Sequence, residues 1–191
     1  MKEERIKVIL PEGVFYTNVL TFSESDRKFI FEVYKEWRAL SNNLLKIKSR
    51  AVNLPEGLSE GTFCLEMNAV RIVENISGAN TSFDCYNQET QERIQVKGCS
   101  VLPGLTSFGP KSVWDKIYFV DFYRKGLWDG TFDIYLLDNK NIYNQVVNQQ
   151  KNETFCDQQR QGRRPRFSIY SEIIQPKKLI PIKTCRLSDG Q

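Results

Sequence analysis

After Ser23 the apolar residues Phe29, Val33, Trp37, Leu40, Leu44 and Ile47 recur at steps of three and four, which gathers them on one side of a helix. Ser23 suits the N-cap. Asp26 falls in the first turn, where a carboxylate meets unpaired backbone N–H groups. The spacing predicts an amphipathic helix with this stripe in the core. The first 22 residues, with Pro11 and Gly13, read instead as short extended pieces. Pro55 and Gly57 break the chain, and Ser59 suits the cap of a second helix through Cys64, Met67 and Val70. The β-branched run Val70 to Val73 blurs its end.

From Thr81 the pattern turns extended. Residues 82–86 and 93–99 read as two strands joined by a polar turn from Asn87 to Glu92. A loop with Pro103, Gly104, Gly109 and Pro110 leads to Ser112, the expected cap of a helix through Trp114, Ile117, Tyr118 and Phe122 that Gly126 ends. Thr131 to Leu137 is the next strand. A strand, a helix and a strand in succession imply a right-handed crossover, so the fold class is α/β, a mixed central β-sheet flanked by helices. The stripes carrying Trp37, Trp114 and Tyr118 read as core.

Composition narrows the chemistry. The 191 residues suffice for a single domain over 1–191, and 40% hydrophobic with 26% charged residues is a globular balance. There is no histidine, which removes Ser-His-Asp and Cys-His triads and imidazole-bound zinc. Catalysis then falls to carboxylates, amides, lysine or cysteine. Five scattered cysteines without a CxxC pair argue against a disulfide framework or a zinc ribbon. A mixed-charge N-terminus and the lack of a long apolar stretch point to a cytoplasmic protein with no membrane partner. Net charge is only +4, yet residues 141–191 hold nine Lys or Arg against four acids. That is the footprint of a polyanion binder.

In the second extended segment Gln95 and Lys97 are two apart and share a face, and the turn after Asp84 folds that carboxylate back beside them. The pattern Phe83-Asp84, then Ile94-Gln95-Val96-Lys97-Gly98-Cys99-Ser100, resembles the PD-(D/E)xK nuclease superfamily. The resemblance implies that Asp84 ligates Mg²⁺ (or Mn²⁺), that Gln95 holds the second acidic position, that Val96 lends its carbonyl, and that Lys97 positions the attacking water. Phe83 replaces the proline, and Gln95 replaces an acid, which leaves the metal with less charge around it. Glu66, on the preceding helix, is the candidate further carboxylate. A rival arrangement, Asp129 with Asp138-Asn139-Lys140, looks more like a turn leaving a strand.

Further blocks, Thr106 to Ser112, Asp129 to Tyr135 and Asp157 to Ser168, resemble small type II restriction endonucleases that recognise GC-N-GC and related sites. That resemblance, over roughly residues 60 to 175, implies a nuclease domain with an N-terminal helical part at about 23–76, a catalytic core at about 60–140 and a basic DNA-recognition segment at about 141–186. Arg160, Arg163, Arg164 and Arg166, with Gln158 and Gln159, are suited to read guanine and adenine or to anchor phosphates; Ser107 and Lys111 are candidate DNA contacts. Double-stranded DNA is the implied substrate, and a companion methyltransferase the implied partner. Cutting both strands of a near-palindrome further implies a dimer with two-fold or pseudo-two-fold symmetry. The alternatives are a non-catalytic DNA-binding module on a nuclease-like fold, with Gln95 marking lost metal chemistry, and a repair nuclease for structured DNA.

Overall fold

A computed structural model describes residues 1–99, 101 and 104–190. Ser100, at the end of the lysine motif, and Pro103 lie outside the described residues. The first 21 residues form one long hairpin of β1 (Lys2–Leu10) and β2 (Gly13–Thr21), in register from Lys2↔Thr21 to Leu10↔Gly13. Ser23 and Asp26 then make a reciprocal cap, with the Ser23 N–H donating to the Asp26 carboxylate at 2.9 Å, and the chain enters α1 (Arg27–Lys46). α2 (Glu56–Met67) starts directly after Pro55, ahead of the Ser59 cap that the sequence suggests. It stops at Asn68, whose left-handed backbone (φ 49°) is tolerable for asparagine. The β-branched residues beyond it form a strand, β3 (Val70–Ile72).

β4 (Cys85–Asn87) and β5 (Glu92–Cys99) pair antiparallel across the expected turn. After the short β6 (Thr106–Ser107), the stretch expected to be a helix from Ser112 is instead a strand, β7 (Lys116–Asp121). The reason is burial on both sides. Ile117 to Asp121 are all buried, and a run of consecutive β-branched and aromatic residues suits a central strand better than a helix with a wet face. β8 (Thr131–Leu137) follows, then α3 (Asn139–Tyr143), β9 (Val146–Asn148), β10 (Glu153–Thr154), α4 (Phe155–Arg160), β11 (Arg166–Phe167) and β12 (Lys183–Arg186).

The main sheet has eight strands in the order β1-β2-β3-β4-β5-β7-β8-β12. Among the described residues only β5 and β7 are parallel, so the sheet is mixed and the fold is α/β, with helices against the sheet. The described part of the β5-to-β7 crossover holds β6 and no helix.

Alternation along the strands divides the core. Ile94 and Val96 of β5, Val120 of β7 and Phe132 of β8 pack beneath α1 and α2; Phe119, Tyr135 and Leu137 pack on the opposite face with Phe108, Trp114, Phe155 and Phe167. Trp37, Trp114 and Tyr118 are buried in these layers. α1 is a helix as its spacing requires, but it is rolled away from the expected phase. It buries Ile30, Tyr34, Trp37 and Ser41, while Phe29, Leu40 and Ile47 stay 54%, 52% and 73% exposed. Hydrogen bonds set the roll: the Trp37 indole donates to the Val52 carbonyl at 3.0 Å, and the Val52 N–H donates to Ser41 Oγ at 3.2 Å. Among the described residues no helix is long and apolar enough to cross a membrane.

Candidate active site

Asp84 enters the sheet just before β4, where its N–H donates to the Ile94 carbonyl and its carbonyl accepts from the Ile72 N–H, each at 3.0 Å. The backbone is thus held from both neighbours. One carboxylate oxygen, Oδ2, accepts the Val96 N–H at 2.8 Å and the side-chain amide of Gln95. Both donors use the same oxygen, and Oδ1 accepts no hydrogen bond among the described residues. Burial pushes the Asp84 carboxyl up, while the Lys97 ammonium, the Val96 N–H and the Gln95 amide pull it back.

The cavity that receives Asp84 has a volume of about 320 Å³ and is also lined by Glu56, Glu60, Val96, Lys97 and Ser107. Asp84, Val96 and Lys97 are therefore brought together. Gln95 is buried behind Asp84, outside the cavity lining, where its amide orients the carboxylate. The Lys97 ammonium lies 5.6 Å from the centre of the Phe108 ring, an apolar shelf that limits where its charge can go. Gly98 is needed for close approach: a Cβ there would meet Leu54 Cδ2 at 2.6 Å and Ser59 Cβ at 3.3 Å.

Glu66 does not join this group. It lies at the other end of α2, bridging Arg27 at 2.7 Å and Lys183 at 2.6 Å and accepting from the Cys185 thiol. Burial raises its carboxyl, but the hydrogen bonds from Lys183, Cys185 and Arg27 outweigh that and hold it below the ordinary range. This helix instead gives the cavity Glu56, at its start, and the buried Glu60. The Glu60 pKa is pushed up to about 7, first by burial and then by the charge of Asp84, against the Arg71 guanidinium 2.5 Å away. The sequence does carry a signal for it, an acid inside the small and apolar run Gly57 to Cys64, but nothing local sets Glu60 against Asp84. In the rival arrangement the parts are separate: Asp138 caps α3 through the Lys140 N–H, and Asp129 pairs with Arg186.

The donor set fits a hard divalent cation. The Asp84 and Glu60 carboxylates and a main-chain carbonyl are oxygen ligands of the required kind, and the upward push of Asp84 on Glu60 is a repulsion that a cation between them would relieve. Among the described residues there is no cluster of three or more His, Cys, Asp or Glu side chains close enough to hold an ion. An ion here would need the Val96 carbonyl and water to complete its shell.

Beside the cavity, β6 and β11 form a two-stranded ribbon with Ser107 opposite Arg166 and Thr106 opposite Phe167. Thr106 and Phe167 face the aromatic core, so Ser107 and Arg166 share the outer face. Arg160, Arg163, Arg164, Arg166 and Lys111 are all exposed. Arg163 pairs with Glu153 at 2.9 Å and Arg160 with Asp157 at 3.4 Å; among the described residues Arg164 and Arg166 form no ion pair. The glutamines are placed differently. Gln158 is buried, and the Gln159 amide donates to the carbonyls of Gly109 at 3.2 Å and Ser112 at 3.3 Å, tying α4 to that loop.

The model of the Bsp6I restriction endonuclease family matches residues 22–176. A curated protein, the type II restriction enzyme Bsp6I of Bacillus sp. (strain RFL6), is 28% identical over 165 residues, covering 82% of this chain and 85% of its own length. No solved structure matches.

Proposed function

The chain belongs to the Bsp6I restriction endonuclease family and is a type II site-specific deoxyribonuclease, and from that premise we propose that it cuts both strands of DNA at a short GC-rich near-palindrome such as GCNGC, using the cavity around Asp84 and Lys97. The observation that carries the reading is the convergence of Asp84, Glu60 and Lys97 in one cavity whose rim is the Ser107–Arg166 ribbon.

Asp84 Oδ1, Glu60 and the Val96 carbonyl would hold Mg²⁺, or Mn²⁺ in its place. Bound there, the ion supplies neutralisation of the charge that builds on the phosphate and a lowered pKa for water. The chain's own residues do the rest. Gln95 and the Val96 N–H fix the Asp84 carboxylate, so its geometry is set before substrate arrives. The Lys97 ammonium, held over Phe108 at the cavity, would steady the phosphate and the attacking water. Glu60 supplies the negative charge that Gln95, an amide, does not. Arg166 and Ser107 grip the DNA next to the bond that breaks, and the remaining arginines divide between bases and phosphates.

The enzyme would act in the cytoplasm as part of a restriction-modification system, with a methyltransferase of matching specificity protecting host DNA, and as a dimer so that each strand meets its own site. Digestion of unmethylated phage DNA with Mg²⁺, followed by sequencing of the fragment ends, tests this. The expected result is one recurring GC-rich sequence at every end. Heterogeneous ends, or intact DNA with both Mg²⁺ and Mn²⁺, would refute it.

A further inference from the structure

Between Trp37 and Pro55 the chain carries four cations, Arg38, Lys46, Lys48 and Arg50, and no carboxylate. The same stretch leaves the body of the protein. The Trp37 indole donates to the Val52 and Asn53 carbonyls, at 3.0 and 3.1 Å, so the returning chain meets the helix there. Beyond that tie α1 continues from Arg38 to Lys46, about 14 Å at 1.5 Å per residue. From Asn42 to Ala51 every residue except Leu44 is exposed. The end of α1 and the returning segment therefore form a projecting arm whose charge is wholly positive. Among the described residues none of Lys46, Lys48 and Arg50 has a carboxylate partner; Lys46 donates only to Asn43 Oδ1, at 3.3 Å.

We propose that this arm is a second clamp on the DNA backbone, in which Lys48 and Arg50 hold phosphates beside the Asn53 edge of the cleft, as the Ser107–Arg166 ribbon does beside the Leu105 edge. The proposal rests on the nuclease reading and adds to it a binding surface outside the basic segment 141–186.

Placement carries the argument. Asn53 and Leu54, at the foot of the arm, line the Asp84 cavity together with Leu105, and the same three residues line a further cavity of about 420 Å³ bounded by Gly98 and Val101. Two segments thus frame one cleft: 53–54, which leads back to the arm, and 105–107, which leads into the ribbon with Arg166. Chain length bounds the distance. Arg50 is three residues from Asn53, so their Cα atoms lie within about 11 Å, and the Lys48 Cα lies within about 18 Å. Duplex DNA presents one charge per about 1.7 Å of its axis, so when one phosphate enters the cavity its neighbours come within reach of the arm.

Lys48 separates this reading from a plain helix end. It stands at the left-handed position (φ 62°), where its N–H donates to the Leu45 carbonyl at 3.0 Å and the Ser49 N–H to the Leu44 carbonyl at 2.9 Å. Glycine closes that turn best. A cation that served only the helix dipole would make Lys48→Gly destabilising, whereas a phosphate contact leaves glycine the better residue for the fold.

Binding of the full chain to a short duplex of random sequence, by fluorescence anisotropy at several salt concentrations without divalent metal, reads the arm. Lys48→Gly should weaken binding about 3- to 10-fold and flatten the salt dependence by about one ion, with a melting temperature no lower than that of the wild type. Lys48→Gly/Arg50→Ala should flatten it by about two ions. Lys28→Ala, which removes the same charge from the exposed start of α1, should leave the salt dependence unchanged. A wild-type salt dependence in the double variant, an equal loss in Lys28→Ala, or a lower melting temperature for Lys48→Gly would overturn the inference. Cleavage of phage DNA by the wild-type chain with Mg²⁺ is followed in parallel. Cutting at one sequence, with a double variant that binds as the wild type does, refutes the arm and leaves the nuclease reading intact; weakened binding by the double variant of a chain that cuts nothing refutes the nuclease reading and leaves the arm intact.

Discussion

Ser107 and Arg166 face each other across the two-stranded ribbon, and Ser107 also lines the cavity that holds Asp84 and Lys97. On the proposed reading, recognition and chemistry meet on one backbone element only two residues deep on each side. Arg166, which forms no ion pair among the described residues, is proposed to hold a phosphate next to the cleaved bond. Arg166→Ala should weaken cognate and random duplexes alike and flatten the salt dependence of binding by about one ion. Among Arg160, Arg163 and Arg164, at least one alanine variant should cost about 1–3 kcal/mol on the cognate site and relax discrimination at one base pair. Binding to cognate and single-mismatch duplexes at several salt concentrations separates these classes. Equal losses on all sequences for all four variants would make the segment a nonspecific basic patch.

The raised pKa of Glu60 gives a stability signature. The carboxyl titrates near 7 in the folded chain and near the ordinary glutamate value when unfolded, so the folded state binds the extra proton more readily. Its contribution is fully present below the unfolded pKa and is lost as pH rises through about 7. Melting temperature of the metal-free protein should thus fall between pH 5.5 and 8 by more in the wild type than in Glu60→Gln. Identical profiles for the two proteins would show that Glu60 is not the buried acid described.

Gln95 donates to Asp84, and an acid at its place would set two carboxylates together in a buried site. Gln95→Glu should lower the melting temperature without metal and recover most of the loss with Mg²⁺, which supplies the missing countercharge. A thermal melt with and without Mg²⁺ is sufficient. A loss that Mg²⁺ does not relieve would argue against an ion beside Asp84.

Gly98 tests the wall of the cavity. A methyl group there collides with Leu54 and Ser59, so Gly98→Ala must push the 53–54 segment or α2 outward. The expected outcome is a folded protein whose kcat falls more than its affinity for DNA, measured by single-turnover cleavage alongside a binding titration. Unchanged kcat would mean that the close approach at Gly98 does not position the cavity.

Much of this arrangement was legible in one dimension because it is local. The hairpin that returns Asp84 to Gln95 and Lys97 follows from two extended segments and a polar turn, and period-two alternation sorts Ile94 and Val96 from Gln95 and Lys97. Glu60 was not legible in that way. Glu60 and Glu66 lie on one short helix, and only the packing of α2 on β5 decides that the first meets Asp84 while the second meets Arg27 and Lys183. The strand at Lys116–Asp121 was misread for a related reason: a run buried on both faces has no wet side, and so no period to distinguish strand from helix. The roll of α1 depends on bonds from Trp37 and Ser41 to a segment after the helix, which no periodicity reveals.

The central claim is that Asp84 and Lys97 carry out the cleavage while other residues recognise the sequence. Single-turnover cleavage of a cognate duplex by Asp84→Ala and Lys97→Ala, with binding measured on the same duplex, tests it most directly. Each variant should lose cleavage by on the order of 10²–10³-fold or more, while the preference for cognate over mismatched DNA stays close to that of the wild type. Cleavage by Asp84→Ala at the wild-type rate would contradict the account and return attention to Asp129 and Asp138.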